Sequence, residues 1–495
     1  MKKLLIGLII TLLVIVVAVG AIFMLGNQYV QNQSGDDIPD HVDIEANELG
    51  TVVAVGRGLY DENGDRFEIK GINFGNLFIA EGWMTVNSIG AVMNDDGTYK
   101  SVNNEGIVEE YEEIYQEEMD AIFAERFTDE EIEALNNAFF EAYCTEADFK
   151  LISDTGLNTI RLPLYYRTFL TTHDRYRLTD EELCAMNFED IELVFEKVDL
   201  FLEYAKEYDL KVILDMHGLM GGQSGFEHCG TRGMDFWDNE DYIVFMSNLW
   251  RAIAKHYTVD RPDLASTILA YDLANEPTKR TEMATGPLQW QGMDRLYEAI
   301  REVDTQHVIS IEGVWYPNCL PDPEEYGWEN VLYQYHFYNW SHDKGVTNEM
   351  FYSTMYALYT QSNYNVPKLV GEFNFFGNKD AWSKYVVQYD ELGWGWTIWS
   401  YKIVSVGWWD SSWGIVVNKL DLQNDVDNTA IEDYELKLDL RTASYDEIMA
   451  VWSAEQTKYD GQDGAYKIFR DGMLYNVLKD YFGEEFKVNP REIER

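Results

Sequence analysis

Basic residues are scarce in this chain. Lys and Arg number 38 against 87 Asp and Glu, so 38 − 87 leaves a formal charge of −49 before histidine. A protein that grips nucleic-acid backbone needs a basic face, so that class is excluded. An acidic surface stays soluble and repels anionic polymers, which makes a neutral partner a better fit than a charged one. Cysteine is scarcer still. Cys144, Cys184, Cys229 and Cys319 are the only 4, too scattered for a disulfide framework and without the CxxC spacing of a metal site. Their spacing leaves their pairing open.

What is present is the composition of a folded protein: 46% apolar, 15% aromatic and 25% charged residues, which rules out disorder for the bulk. At 495 residues one large α/β barrel with insertions competes with two or three ordinary domains. Residues 4–26 carry no charge and follow Lys2 and Lys3. As a helix they would extend roughly 34 Å, enough to span a bilayer, and the lysines place the N-terminus in the cytoplasm. The alternative is a signal segment (residues 1–26) cleaved to release a secreted protein. Because signal h-regions usually run about 7–15 residues, a single-pass anchor with an extracellular catalytic domain is the favoured expectation. The exported remainder carries 36 − 87 = −51 once Lys2 and Lys3 are set aside. Residues 27–49, polar and acidic with Gly35 and Pro39, read as a linker holding the body off the membrane.

Residues 51–55 and 67–71 flank Asn63-Gly64, a pattern that predicts an N-terminal hairpin. Beyond it, short apolar runs at 69–74, 159–164, 211–216, 268–273, 308–312, 332–337, 369–373 and 396–400 predict eight strands. Helical periodicity falls between them, over 189–207, 242–256, 293–303 and 379–392, the last with Asn378 as cap and Gly393 just beyond. Alternation of this kind predicts parallel βα units, and eight of them a closed (β/α)₈ TIM barrel over residues 50–495. Insertions at 84–144 and 403–460 interrupt it, each after the C-terminal end of a strand, where barrels carry their active sites. Residues 109–123 read as a solvated amphipathic helix rather than an acidic metal cluster.

Polar residues gather at the predicted strand ends: Arg161, His217, Asn275, Glu276, His336, Tyr338, Glu372 and, after the eighth strand, Trp399. Buried strand ends are costly places for two carboxylates, two imidazoles and a guanidinium, since each must be desolvated and partnered. Two carboxylates across a cleft are what glycosidic bond cleavage needs, one protonating the leaving oxygen and one meeting the oxocarbenium-like carbon. No cofactor or metal is required. Singly, each such residue is more often a member of a structural ion pair than a catalyst.

With these residues in place, the chain resembles glycoside hydrolase family 5, within the clan of retaining barrel glycosidases. The shared pattern is an arginine after strand two, a histidine after strand three, Asn-Glu after strand four, His-x-Tyr after strand six, a glutamate after strand seven and a tryptophan after strand eight. The resemblance implies that Glu276 is the acid/base and Glu372 the nucleophile, with Asn275 on the sugar 2-hydroxyl. Arg161 and Tyr338 would keep Glu372 ionised, His217 and His336 would shape the subsite, and Trp399 would floor it. Glu81-Gly82-Trp83 and the run from Asp215 to Phe226 are similar to the exo-β-1,3-glucanase branch, in which Glu81 would bind the terminal sugar and Phe226 line the entrance. The implied substrate is a neutral β-linked glucan or glucooligosaccharide, β-1,3 or β-1,4, cleaved by double displacement. Mannan and glucosylceramide are alternatives within the family, and a catalytically silent carbohydrate-binding barrel is the alternative outside enzymes.

Three weaker signals complete the reading. Trp394, Trp396, Trp399, Trp408, Trp409 and Trp413 crowd one stretch, and an indole face suits a glucose ring, although core packing explains such residues equally well. Asp61-x-Asn63-x-Asp65 begins like a calcium loop, but Arg66 stands where glycine is needed, so a simple turn is expected. His228 and Cys229 have no second pair at zinc spacing.

Overall fold

Eight parallel strands close into a barrel: β1 (Lys70–Asn73), β2 (Thr159–Tyr165), β3 (Lys211–Gly218), β4 (Ile268–Asp272), β5 (Val308–Glu312), β6 (Val331–Tyr338), β7 (Lys368–Asn374) and β8 (Gly395–Ile398). They neighbour one another in chain order, and β8 returns to pair with β1. The computed structural model describes residues 35–45, 47–94, 97–98, 100, 112–404, 412–418, 437–458, 465–470 and 472–488. Residues 4–26 lie outside these. Among the described residues no helix is long and apolar enough to cross a membrane.

The strands are buried on both faces, which explains why they read as continuous apolar runs rather than alternating ones. Val52 and Leu59 join Ile69, Leu269, Val308, Leu332 and Leu369 in one buried cluster. Those last five stand at or just before the starts of barrel strands, so the N-terminal hairpin seals that end and leaves the opposite end for chemistry. The hairpin differs from expectation. Its strands are Val53–Val55 and Gly58–Tyr60, whereas Asn63-Gly64 closes a separate turn bridged by Tyr60 and Arg66. Asp61 Oδ1 accepts the Asn63 and Asp65 N–H groups at 2.8 and 3.0 Å there, so this carboxylate is spent on the turn.

The expected linker is partly docked. Ile38 is buried, Arg66 donates to the Gly35 carbonyl at 3.1 Å, and Tyr60 donates to the Pro39 carbonyl at 3.0 Å. Backbone bonds from the Val42 N–H to the Gly64 carbonyl at 2.9 Å and from the Arg66 N–H to the Asp40 carbonyl at 2.8 Å also hold this segment.

Helices α1 (Gln116–Arg126), α2 (Asp129–Tyr143) and α3 (Glu146–Asp154) follow β1, and α4 (Glu196–Glu207) follows β2. The helix predicted from residue 189 starts at 196 because Leu193 bridges to Leu170 in extended conformation. Later in the chain come α5 (Glu240–Lys255), α6 (Pro287–Arg301), α7 (Asn348–Tyr359), α8 (Lys379–Leu392) and α9 (Met473–Phe482). Helix α8 keeps its predicted bounds, with the Asn378 side chain accepting from the Ala381 N–H at 3.0 Å and Gly393 left-handed at φ 68°.

The two insertions pair with each other. Asn87–Ser88 of the first runs parallel to Leu438–Asp439 of the second, and Arg126 donates to the Leu440 and Ala443 carbonyls. Ile114, Phe123, Ile132, Leu135, Ile448 and Trp452 form a core of their own beneath this junction. Tyr111, part of the amphipathic pattern read from the sequence, lies outside the described residues. All four cysteines are free.

Candidate active site

The strand ends deliver their polar residues to one place. Arg161 sits on β2, His217 on β3, His336 and Tyr338 on β6 and Glu372 on β7, with Glu372 in register beside His336. Asn275 and Glu276 lie just beyond β4. Glu276 is left-handed at φ 42°, a costly conformation for a side-chain-bearing residue. Its N–H is anchored on Glu312 Oε2 at 2.9 Å.

Arg161 is fully buried and organises the floor. Its guanidinium donates to Glu372 Oε1 at 2.9 Å, Asn73 Oδ1 at 3.1 Å, Asp272 Oδ2 at 2.9 Å and Asn275 Oδ1 at 2.8 Å. Asp215 Oδ1 lies 3.1 Å away. So many carboxylates outweigh the cost of burying the guanidinium and hold it charged. Tyr338 donates its hydroxyl to Glu372 Oε2 at 3.0 Å. Burial pushes the Glu372 carboxyl well up, with Arg161 pulling against it.

Glu276 stands between two imidazoles. His336 Nδ1 is 2.9 Å from its Oε1, and His228 Nε2 is 3.0 Å from its Oε2. The second contact is a charge contact rather than an aligned hydrogen bond, since Oε2 lacks a hydrogen-bond partner by geometry. Burial disfavours the Glu276 carboxylate, but the His228 charge prevails and holds the carboxyl below its ordinary range. Burial likewise opposes the imidazolium of His228, and Glu276 prevails there, pushing it up to about 10. His336 is pushed down to about 4 by burial and is neutral at pH 7. One atom each of Glu276, His336 and Glu372 lie within 4.8 Å of one another. Such a trio has metal-capable donors, yet each is already engaged by a neighbour.

His217 is buried, and burial keeps it neutral. Its Nδ1 faces Asp215 Oδ2 at 2.6 Å, and its Nε2 accepts from Asn275 Nδ2 at 3.3 Å, which orients the Asn275 amide. Trp399 stacks over His217 with centroids 5.6 Å apart. Glu81 reaches the same space, its Oε2 accepting from Trp83 Nε1 at 2.8 Å, and burial pushes its carboxyl up to about 7. Phe226 is half-buried at the margin, stacked on His228 at 5.6 Å and covered by Arg280 at 4.8 Å.

Other tryptophans fall elsewhere. Trp394 packs against Tyr359 and Trp396 against Tyr481 in the outer core. Trp413 is buried beside Tyr338 and Trp83, and Trp408 and Trp409 lie outside the described residues. Sequence reasoning missed His228, which appeared only as half of a metal pair, and Glu312, whose strand-end position on β5 was its one signal. It also missed Trp340, 53% exposed and stacked on Tyr338 at 5.2 Å.

The family model described as cellulase (glycosyl hydrolase family 5) matches residues 123–405. A beta-xylosidase of Phanerodontia chrysosporium is 29% identical over 223 residues, covering 44% of this chain and 42% of that protein. A glucan 1,3-beta-glucosidase of Kluyveromyces lactis is 26% identical over 214 residues, covering 43% of each. Endoglucanase 3 of Fibrobacter succinogenes is 27% identical over 197 residues, covering 39% of this chain and 27% of that protein. The chain thus spans less than half the length of these curated relatives.

Proposed function

The chain belongs to glycosyl hydrolase family 5, and on that premise we propose that it is a retaining β-glycoside hydrolase acting on neutral β-linked glucans or glucooligosaccharides. The observation that carries the reading is the pairing of Glu276 and Glu372 across one buried space, within 4.8 Å of each other and of His336. That proximity supports the retaining arrangement, in which the carboxyl groups stand about 5–5.5 Å apart, over the inverting one at roughly 6.5–9.5 Å.

In this reading Glu372 attacks the anomeric carbon as a carboxylate, the form that Arg161 and Tyr338 stabilise against the burial that disfavours it. The bond to the leaving oxygen breaks as Glu276 protonates that oxygen, and an ester links sugar to Glu372. Water then attacks the same carbon, gives its proton to Glu276, and releases Glu372. Glu276 rests ionised beside a charged His228, so the first proton comes from His228 once its Nε2–H, 3.0 Å from Glu276 Oε2, turns into line with that oxygen. Asn275 meets the sugar 2-hydroxyl, Glu81 the outer hydroxyls, and Trp399 and Phe226 the ring faces.

A neutral substrate agrees with the formal charge of −49. The relatives named above support a β-linked glycan. We include residues 4–26 in the proposal as a single-pass anchor that places the catalytic domain outside the cell, on the strength of their uncharged length after Lys2 and Lys3.

The test is hydrolysis of an aryl β-glucoside and of laminarin by the full chain, with the product anomer followed by NMR. Retention by the wild type, and loss of about 10³-fold or more in Glu276→Ala on laminarin and in Glu372→Ala on both substrates, is the expected result. Inversion, or full activity in either variant, would overturn it.

A further inference from the structure

A cavity of about 690 Å³ lies outside the catalytic centre, between α2, the start of α4 and the segment after β1. Neither Glu276 nor Glu372 lines it. Its size falls among pockets that hold small molecules, about 300–1,000 Å³. Asn76, Asn137, Phe139, Thr168, Phe195 and Lys197 contribute to its wall.

Several of these groups are left with unmet bonding capacity. Asn76 is 5% exposed, and its Oδ1 has no hydrogen-bond partner; Thr168 Oγ1 is buried and equally unpartnered. Lys197 pairs with no carboxylate within 4.0 Å among the described residues, and burial lowers its pKa. At the start of α4 the residue in the capping position is Phe195, which offers no side-chain acceptor. The first-turn N–H groups therefore have no cap from it. A buried polar group is costly to leave unpaired, and here both an acceptor and donors line one cavity.

That mixture selects the ligand. An anion would satisfy Lys197 but not Asn76 Oδ1, and it would meet Asp129 and Glu133 on the same wall. An apolar molecule would leave every one of these groups unpaired. A polyhydroxylated neutral ligand both donates and accepts, and Phe139 and Phe195, the half-buried rings of the wall, offer apolar surface to its C–H face. We propose that this cavity is a second saccharide-binding site, separate from the catalytic centre, that takes a mono- or disaccharide.

The two sites share a wall. Asn76 and Ala80 line the cavity, the Ala80 N–H is held by Gln116 Oε1 at 2.9 Å, and the next residue is Glu81. Sugar in the cavity thus braces the segment that presents Glu81 to the catalytic centre.

The test is calorimetric titration of the full chain carrying Glu372→Gln with laminaribiose and cellobiose. Inorganic phosphate and decanoate serve as the anionic and apolar comparisons. The expected result is a sugar-binding event that weakens at least about tenfold when Lys197→Met and Asn137→Leu are added. The same two substitutions in the wild type should leave aryl β-glucoside hydrolysis within about twofold. Thr168→Phe, which puts a bulky ring in the lining of the cavity, should abolish the event while thermal melting shows a folded chain. Sugar binding indifferent to all three substitutions would overturn the proposal. So would phosphate or decanoate binding that depends on them in place of sugar. Binding lost with the cavity variants in a chain that hydrolyses no glycoside would leave this site standing and sink the catalytic reading instead.

Discussion

His228 Nε2 stands 3.0 Å from Glu276 Oε2, while His336 Nδ1 stands 2.9 Å from the other oxygen of the same carboxylate. One imidazole is charged and the other neutral, because His228 is pushed up to about 10 and His336 down to about 4. Glu276 is therefore a carboxylate with a proton held next door on His228.

Removing that neighbour should move the pH profile. With His228 present, the proton needed for leaving-group departure is retained until pH rises through about 10. In His228→Gln the proton has only Glu276 to sit on, and a lone carboxyl loses it at lower pH. The alkaline limb of kcat/KM should shift down by at least about one unit, and kcat should fall about tenfold or more. An unchanged alkaline limb would show that the pair does not share its proton.

Tyr338 gives its hydroxyl to Glu372 Oε2 at 3.0 Å, opposite the Arg161 contact at 2.9 Å on Oε1. Tyr338→Phe keeps the ring and deletes one donor. By comparison with other single-donor losses, kcat should fall about 10²-fold with little change in KM. Steady-state kinetics on an aryl β-glucoside reads both.

Stability should favour mildly acidic pH. Burial pushes the carboxyls of Glu81, Asp215 and Glu227 each up to about 7. Folded pKa values above the unfolded ones mean that the folded state binds protons more tightly. Their contribution is complete below the ordinary carboxyl range and is lost as pH rises through about 7. Mutual repulsion within a formal charge of −49 acts in the same direction. Melting temperatures at pH 5, 6.5 and 8 should fall in that order; a higher Tm at pH 8 than at pH 5 would contradict this.

Trp452 ties the insertions together. It packs on Phe123 at 5.3 Å and Phe139 at 5.2 Å, and donates to Asn87 Oδ1 at 2.9 Å. Trp452→Ala should cost about 3–5 kcal/mol, seen as a lowered urea midpoint. A loss within ~0.5 kcal/mol, the range of surface substitutions, would show that the junction contributes nothing to stability.

Much of the frame was legible because it is local. Period and length mark the eight strands, and Asn378 and Gly393 mark both ends of α8, since a cap and a left-handed stop act within a few residues. Boundaries slipped where a distant strand intervened, as at Leu193, whose bridge to Leu170 delays α4. Candidate site residues could be named from their positions at strand ends, and the resemblance also paired Arg161 and Tyr338 with Glu372 as the structure does, but the His228 partner of Glu276 was not legible.

The sequence alone determined the residue types at the strand ends, the acidic balance and the alternation that closes a barrel, all set by neighbours along the chain. Tertiary structure decided that Arg161 joins Asn73, Asp272, Asn275 and Glu372. It also brought His228 from a loop after β3 onto Glu276 and paired the two insertions around Trp452. These contacts link residues far apart in the chain, and burial sets their electrostatics. Neither register nor desolvation exists until the barrel has closed.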